Sequence, residues 1–452
     1  MEQRTEATQR PLFSRSDIRK LLFPLVLEQL LAVSMGMADT MMVSSVGEAA
    51  ISGVSLVDNV NVLILQVLSA LATGGAVVAS QYLGRGDTRS ARRGASQLYA
   101  TLMIITVSVA ALCIALCRPL LRLIFGAIDD EVMGNAMTYF YLSAVSYPFM
   151  GLYGAGAALF RAQGDSRTSM LASLVMNIIN VTGNALLIFV FDMGVLGAAI
   201  ATLIGRVFAA LYVTWRLQRP DNLMRIGSLR DLLPDMPYIR RILSIGVPSG
   251  LENGMFHFGK LILGSLISTL GTAAIAANAV ANSIGSMCNI PGNAVSLAMI
   301  PVVGRCIGAG KKDEAKKNAD QLMWIAFWGL AATSVISYAA IPHITSWFSL
   351  SPEAAELAVR VIRSFNLLSI PFWATSFTLP NALRSGGDAK FTMTVSMFSM
   401  WLFRVLLCYV FVLRFDMGLM GIWTGMYIDW ICRTLLFLLR YRSGKWMEHK
   451  VI

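Results

Sequence analysis

Charge is scarce in this 452-residue chain: Asp, Glu, Lys and Arg together make up 14%, against roughly 25% in ordinary soluble domains. A soluble globule of this length would lack the polar surface needed to cover its core, and disorder, collagen, coiled coil and a disulfide scaffold are excluded on the same composition. Histidine is rarer still. His257, His343 and His449 are too scattered for a metal site, and no nucleophile motif accompanies them, so an enzyme is not expected. Six cysteines (Cys113, Cys117, Cys288, Cys306, Cys408 and Cys432) lie inside or at the ends of apolar runs. They read as small packing residues, without the spacing of a disulfide or metal framework. The first 20 residues carry no apolar core, so no cleaved signal peptide is expected and the first apolar run itself directs insertion. No G-x-x-x-x-G-K-[ST] sequence occurs, and GAGKKDEAKK (308–317) lacks its spacing; no cofactor and no ATPase partner are expected.

Apolar residues are what the chain has in abundance, at 56%, with a mean hydropathy of +0.63. At about 20 residues per spanning helix, the fold class is all-α and polytopic. Apolar runs between charged or Gly/Pro breaks predict twelve spans, near 21–44, 50–83, 95–117, 136–160, 169–190, 195–215, 242–269, 273–304, 320–347, 357–383, 392–413 and 418–439. The polar segment 216–241, with Pro220, Pro234 and Pro237, divides them into two sets of six. The domain reading is a tail (1–20), a six-helix lobe (21–215), a linker (216–241), a second lobe (242–439) and a tail (440–452). Of the 37 Lys and Arg, 29 fall in the tails and in loops 84–93, 161–168, 216–241, 305–317, 384–390 and 433–450, all on one side of the predicted topology. That side is predicted to be cytoplasmic, with both termini on it, in a multi-pass cell-membrane protein. The net charge of +11 is therefore a topology signal, and no nucleic-acid partner is expected.

The two halves repeat at an offset of 224 residues. Pro24 and Glu28 match Pro248 and Glu252; GEAAISGVS (47–55) matches GTAAIAANA (271–279); GRGDTRSARR (84–93) matches GAGKKDEAKK (308–317); FDMGVLGA (191–198) matches FDMGLMGI (415–422). With a slip of one residue, RAQGDSRTSM (161–170) matches RSGGDAKFTM (384–393). Six spans per unit give both units the same orientation, hence a pseudo-twofold axis along the membrane normal and a central cleft between two bundles. Pro24, Pro148, Pro248, Pro291, Pro301, Pro371 and Pro380 fall within the predicted spans as kinks.

Ionisable side chains at mid-bilayer depth cost at least about 2.5–3.5 kcal/mol and usually mark function. Glu28 and Asp39 are 11 residues apart on one face of the first span, with Met35 between them. A rise of about 1.5 Å per residue gathers Asp39, Asn180, Asn184 and Thr202 in the outer half of the first lobe. One carboxylate with amide and hydroxyl oxygens suits a proton or sodium ion. Asp39 is predicted to be the only carboxylate in that cluster. Candidates for lining a substrate cleft are Glu28, Met35, Asp58, Glu252, His257, Lys260, Arg404 and Asp429. Asp429 also stands one turn from Arg433, and Glu252 could pair with Arg404 or Lys260. Asn253, His257 and Lys260 share a face and read first as a packing network. Methionine-rich stretches around Met35, Met37, Met41 and Met42 suit an adaptable cavity.

PLVLEQLLAVSMGMADT (24–40), SQYLGRGD (80–87), NVTGNALLIF (180–189), GVLGAAIAT (194–202) and IPVVGRCIGAGKKDEAKK (300–317) resemble the multidrug and toxic compound extrusion (MATE) family over roughly residues 18–440. The resemblance implies twelve helices in two six-helix lobes and export of small amphipathic organic compounds, often cationic, in exchange for protons or sodium. It implies that Asp39 is the coupling residue, with Asn180, Asn184 and Thr202 around it. Asn184 stands where the family pattern has Asp, which leaves a less anionic site. The expected surroundings are the lipid bilayer and the expected state monomeric. The alternative reading is a flippase for lipid-linked glycans.

Overall fold

A computed structural model describes residues 11–126, 129–227, 229–348 and 350–452. The first ten residues of the expected N-terminal tail lie outside the described residues. The described chain is helical throughout, with no strand among the described residues. Its helices are α1 (Arg15–Ser44), α2 (Glu48–Arg85), α3 (Thr88–Ala115), the short α4 (Cys117–Phe125), α5 (Asp130–Ala162), α6 (Ser166–Asn184) and α7 (Gly194–Gln218). They continue as α8 (Met236–Ser268), α9 (Thr272–Cys288), α10 (Ile290–Gly308), α11 (Lys312–Trp347), α12 (Pro352–Trp373), α13 (Leu379–Ser385), α14 (Ala389–Ser399), α15 (Leu407–Leu413) and α16 (Gly418–Arg442). Three π turns extend or join them: Ala185–Val190 after α6, Ala374–Thr378 between α12 and α13, and Met400–Leu406 between α14 and α15. Nine helical stretches among the described residues are long and apolar enough to cross a membrane. The protein is an all-α polytopic membrane protein.

Local chemistry sets several helix starts. The Ser14 hydroxyl and backbone N–H both donate to Asp17, at 2.7 and 2.9 Å, while the Asp17 N–H returns to the Ser14 hydroxyl at 3.2 Å. This reciprocal cap opens α1 and holds the Asp17 carboxyl below its usual range. Asp165 accepts from the backbone N–H of Arg167 and Thr168 at the start of α6. The expected span 273–304 differs from the structure. It breaks at Asn289 into α9 and α10, because Pro291 sits in the first turn of a new helix, where its missing N–H costs nothing. Pro380 likewise opens α13 and does not kink a continuous helix.

The duplication is written into the backbone. Left-handed φ values recur in register: Gly47 and Gly271 (141° and 92°), Gly86 and Gly310 (80° and 74°), Asp192 and Asp416 (55° and 50°), and Gly194 and Gly418 (52° and 54°). Gly164 and Gly387 (86° and 94°) match one residue short of that offset. A π turn is where a helix takes up an extra residue. The π turn between these landmarks has 6 residues in the first half and 7 in the second, which gives the one-residue slip a physical place.

Packing groups the chain into two compact units. One holds residues 27–79 and 88–258; the other holds the start of the chain through Val26, residues 80–87 and residues 259–452. The boundaries fall inside α1, α2 and α8. In the first unit Val43, Val54, Val57, Ala136, Phe140, Ala144, Tyr147, Ala198 and Ala199 form a buried apolar cluster. In the second, α2 and α10 cross at backbone contact. A Cβ on Gly84 would lie 2.0 Å from the Arg305 carbonyl oxygen, and one on Gly308 2.0 Å from that of Gln81.

Candidate functional site

The site is built where α6 and α7 come unusually close. A Cβ on Gly183 would sit 2.8 Å from the Ala201 methyl, and one on Gly205 would sit 3.0 Å from the Met176 carbonyl oxygen. With no side chain at either glycine, Asn180 and Thr202 meet, and the Asn180 amide donates to the Thr202 hydroxyl at 2.9 Å. One turn along α6, the Asn184 amide donates to Asp39 of α1 at 2.6 Å and reaches the Asn180 carbonyl oxygen at 3.4 Å. Asn180 and Asn184 are buried, and Asp39 is half-buried. The structure thus brings together all four residues of the expected cluster.

The expectation of a single carboxylate there is corrected. Asp58 of α2, expected only as part of a substrate cleft, lines the same cavity as Asp39, Tyr139, Asn184 and Thr202. It accepts from Asn61 at 3.3 Å and from the Tyr139 hydroxyl. Asn61 also donates to Ser143 at 3.2 Å and accepts from Tyr147 at 2.7 Å. Arg206, one turn beyond Thr202 on α7, is buried and donates to the Ser146 hydroxyl at 2.6 Å, and its charge acts on both Asp39 and Asp58. The enclosed space is about 20 Å³. One water needs about 10–15 Å³ on this measure, so the cavity admits a water or a bare ion and excludes an organic molecule. The Asn184 carbonyl oxygen is buried with no hydrogen-bond partner among the described residues, which leaves one acceptor at the cavity.

Arg206 was legible in principle. It is one of three cations inside predicted spans, four residues after Thr202 and so on the same helical face. The second half does not repeat the cluster: Leu263, Asn282 and Met426 stand where the first half has Asp39, Asp58 and Thr202.

The cleft candidates separate. Glu28, expected to face a cleft, is instead buried and held on both oxygens, by Arg161 at 3.1 Å and by the Ser169 hydroxyl at 2.8 Å. Arg161, counted with a loop in the sequence reading, belongs to α5. Asp429 is fully buried between Arg433 at 2.8 Å and Arg404 at 3.0 Å and also accepts from Ser399. It meets the expected Arg433 and is closed off from any cleft, and Arg433 itself is buried within α16, not in the tail. Arg404, on the π turn of the same unit, pairs with Asp429. Lys260 is exposed, and the Arg404 charge acts on it. Glu252 is buried in α8, His257 is half-buried with its ring edge against Phe256, and Met35 is half-buried on α1.

A polytopic all-α protein with an internal duplication, and with a buried carboxylate site for a proton-sized ligand in one half only, has the build of a membrane transporter rather than a receptor for a large ligand. Comparison with known proteins agrees. The MatE family profile matches the chain twice, over residues 24–186 and 248–410, the second match displaced from the first by the same 224 residues. The chain belongs to the MatE family. It is similar to the uncharacterized transporter YisQ of Bacillus subtilis, with 26% identity over 98% of this chain and 98% of that protein. It is also similar to the probable multidrug resistance protein NorM of Thermotoga maritima, with 27% identity over 97% and 94% of the two chains. Among solved structures, the outward-facing conformation of a multidrug resistance MATE family transporter of the MOP superfamily shares the fold, with a TM-score of 0.88 at 21% identity over 95% of this chain and 96% of that one.

Proposed function

We propose that this protein is a secondary antiporter that exports amphipathic organic compounds, often cationic, from the cell in exchange for protons, with Asp39 as the coupling carboxylate. Membership of the MatE family and the multidrug resistance relatives support export. The single observation that carries the choice of proton is the charge inventory of the small cavity. Asp39 and Asp58 supply two negative charges and Arg206 one positive, so the resident charge is already half neutralised. A bare sodium ion wants several oxygen ligands and strong negative charge. Here Asn184 directs its N–H, not its oxygen, to Asp39. A proton needs only one carboxylate and a water to carry it. The cavity is too small for the exported compound, so competition between proton and substrate acts through helix packing and not through a shared pocket. Glu252, buried at mid-helix, is assigned the attraction of cationic substrates. The basic loops and both termini are assigned to the cytoplasm.

The test is efflux of cationic dyes from proteoliposomes under an imposed proton gradient or an imposed sodium gradient. Export under the proton gradient alone supports the reading; export under the sodium gradient alone contradicts it. A flippase for lipid-linked glycans is the second reading, and exposed Lys260 with the Arg404 charge beside it would suit a phosphate. Translocation of a lipid-linked sugar without dye export would establish that reading in place of the first.

A further inference from the structure

A second pocket, of 640 Å³, lies far along the chain from the coupling residues, between the start of α3 and the linker that follows α7. Arg89, Arg92, Arg93 and Arg225 line it, with Asp231 and Asp235 the only acidic residues among its lining groups. Two of the arginines clamp the linker: Arg92 donates to the Leu223 carbonyl at 3.0 Å, and Arg93 to Asp235 at 3.2 Å and the Asp231 carbonyl at 3.1 Å. The Gln97 side chain adds bonds to the Asp231 and Leu233 carbonyls at 3.0 and 2.8 Å. Arg89 and Arg225 are exposed and have no hydrogen-bond or ion-pair partner among the described residues. The pocket therefore keeps two uncommitted guanidinium groups above a first helical turn, whose N–H groups also favour an anion.

Its surroundings identify the kind of anion. Trp215 is exposed at the end of α7 with the Arg219 guanidinium stacked 4.0 Å from its ring, the pairing that marks the headgroup level of a bilayer. Leu223, Leu233 and Met236 on the linker are 45%, 62% and 71% exposed. A pocket meant for a soluble anion has no use for three bare apolar side chains beside it. We propose that this pocket binds the phosphate of an anionic phospholipid headgroup through Arg89 and Arg225, with Leu223, Leu233 and Met236 seated among the acyl chains, so that lipid anchors the linker to the bilayer.

The test uses the full-length protein, purified in an uncharged detergent and stripped of lipid, with bound lipid read by native mass spectrometry. Phosphatidylglycerol should bind in preference to phosphatidylcholine. Arg89→Gln with Arg225→Gln should weaken that binding about fivefold for each arginine removed, and Arg89→Lys with Arg225→Lys should retain most of it. Melting of the lipid-free variants at the wild-type temperature shows that the fold is intact, as expected for side chains without protein partners. Unchanged phosphatidylglycerol affinity in the Gln variant overturns the proposal, as does equal binding of phosphatidylcholine. Displacement of the lipid by inorganic phosphate at the same concentration would assign the pocket to a soluble anion and overturn it too.

Discussion

At the residue scale, the coupling site is defined by how charges are counted. Asp39 and Asp58 share one small cavity with a single resident cation nearby, Arg206. Removing that cation, or adding a third carboxylate, should move the site toward metal-ion chemistry. Arg206→Gln and Asn184→Asp each make the site one charge more negative, so each should allow a sodium gradient to drive dye efflux that it does not drive in the wild type. Sodium-gradient efflux from proteoliposomes, unchanged in both variants, would show that Arg206 and Asn184 do not select the ion. Glu252→Gln should weaken export of cationic compounds while sparing neutral ones; equal loss for both would make Glu252 structural. Periodicity alone placed Asp39, Asn180, Asn184 and Thr202 together, because each lies at a helical spacing that can be read along one chain segment. Asp58 and Arg206 escaped that reading. Their place depends on how α2 and α7 rotate toward α1, a matter of packing between helices.

At the element scale, close backbone approach and buried ion pairs hold the helices in place. Gly205→Val puts a branched side chain where even a Cβ is 3.0 Å from the Met176 carbonyl oxygen. Overpacking of this kind costs about 1–3 kcal/mol, and by separating α6 from α7 it should also break the Asn180 to Thr202 bond. Thermal melting should fall and proton-driven export should fall with it; a variant that melts early yet exports normally would show that the Asn180 to Thr202 contact is dispensable. Asp429 sits between Arg404 and Arg433 with no exposure. Its loss leaves two buried guanidinium groups, a change on the order of 3–5 kcal/mol, so Asp429→Asn should melt well below the wild type. Wild-type melting with altered substrate preference would instead return Asp429 to the list of substrate residues. The helices themselves were legible from apolar run lengths, and each expected span overlaps a helix. The break at Asn289 and the three π turns were not legible, since both depend on where backbone hydrogen bonds shift and not on composition.

At the scale of the whole molecule, one six-helix unit occurs twice, and only the first copy carries the coupling carboxylates. The repeated left-handed positions and the twofold family match show the shared ancestry of the halves; Leu263, Asn282 and Met426 show their divergence. Halves with six spans each enter the membrane with the same orientation, so loops 84–93 and 308–317 should be labelled from the same side. Cysteine-accessibility labelling that finds loop 308–317 outside and loop 84–93 inside would end that topology. The central claim is that Asp39 loads a proton on one side of the membrane and releases it on the other as the compound moves out. Asparagine at position 39 keeps the size and hydrogen-bonding capacity of the side chain but cannot take up and release a proton. The decisive measurement is dye export by Asp39→Asn in proteoliposomes under a proton gradient, with expression and thermal melting as controls. The account predicts export at background level from a folded protein; export near the wild-type rate would place the coupling group elsewhere and contradict it.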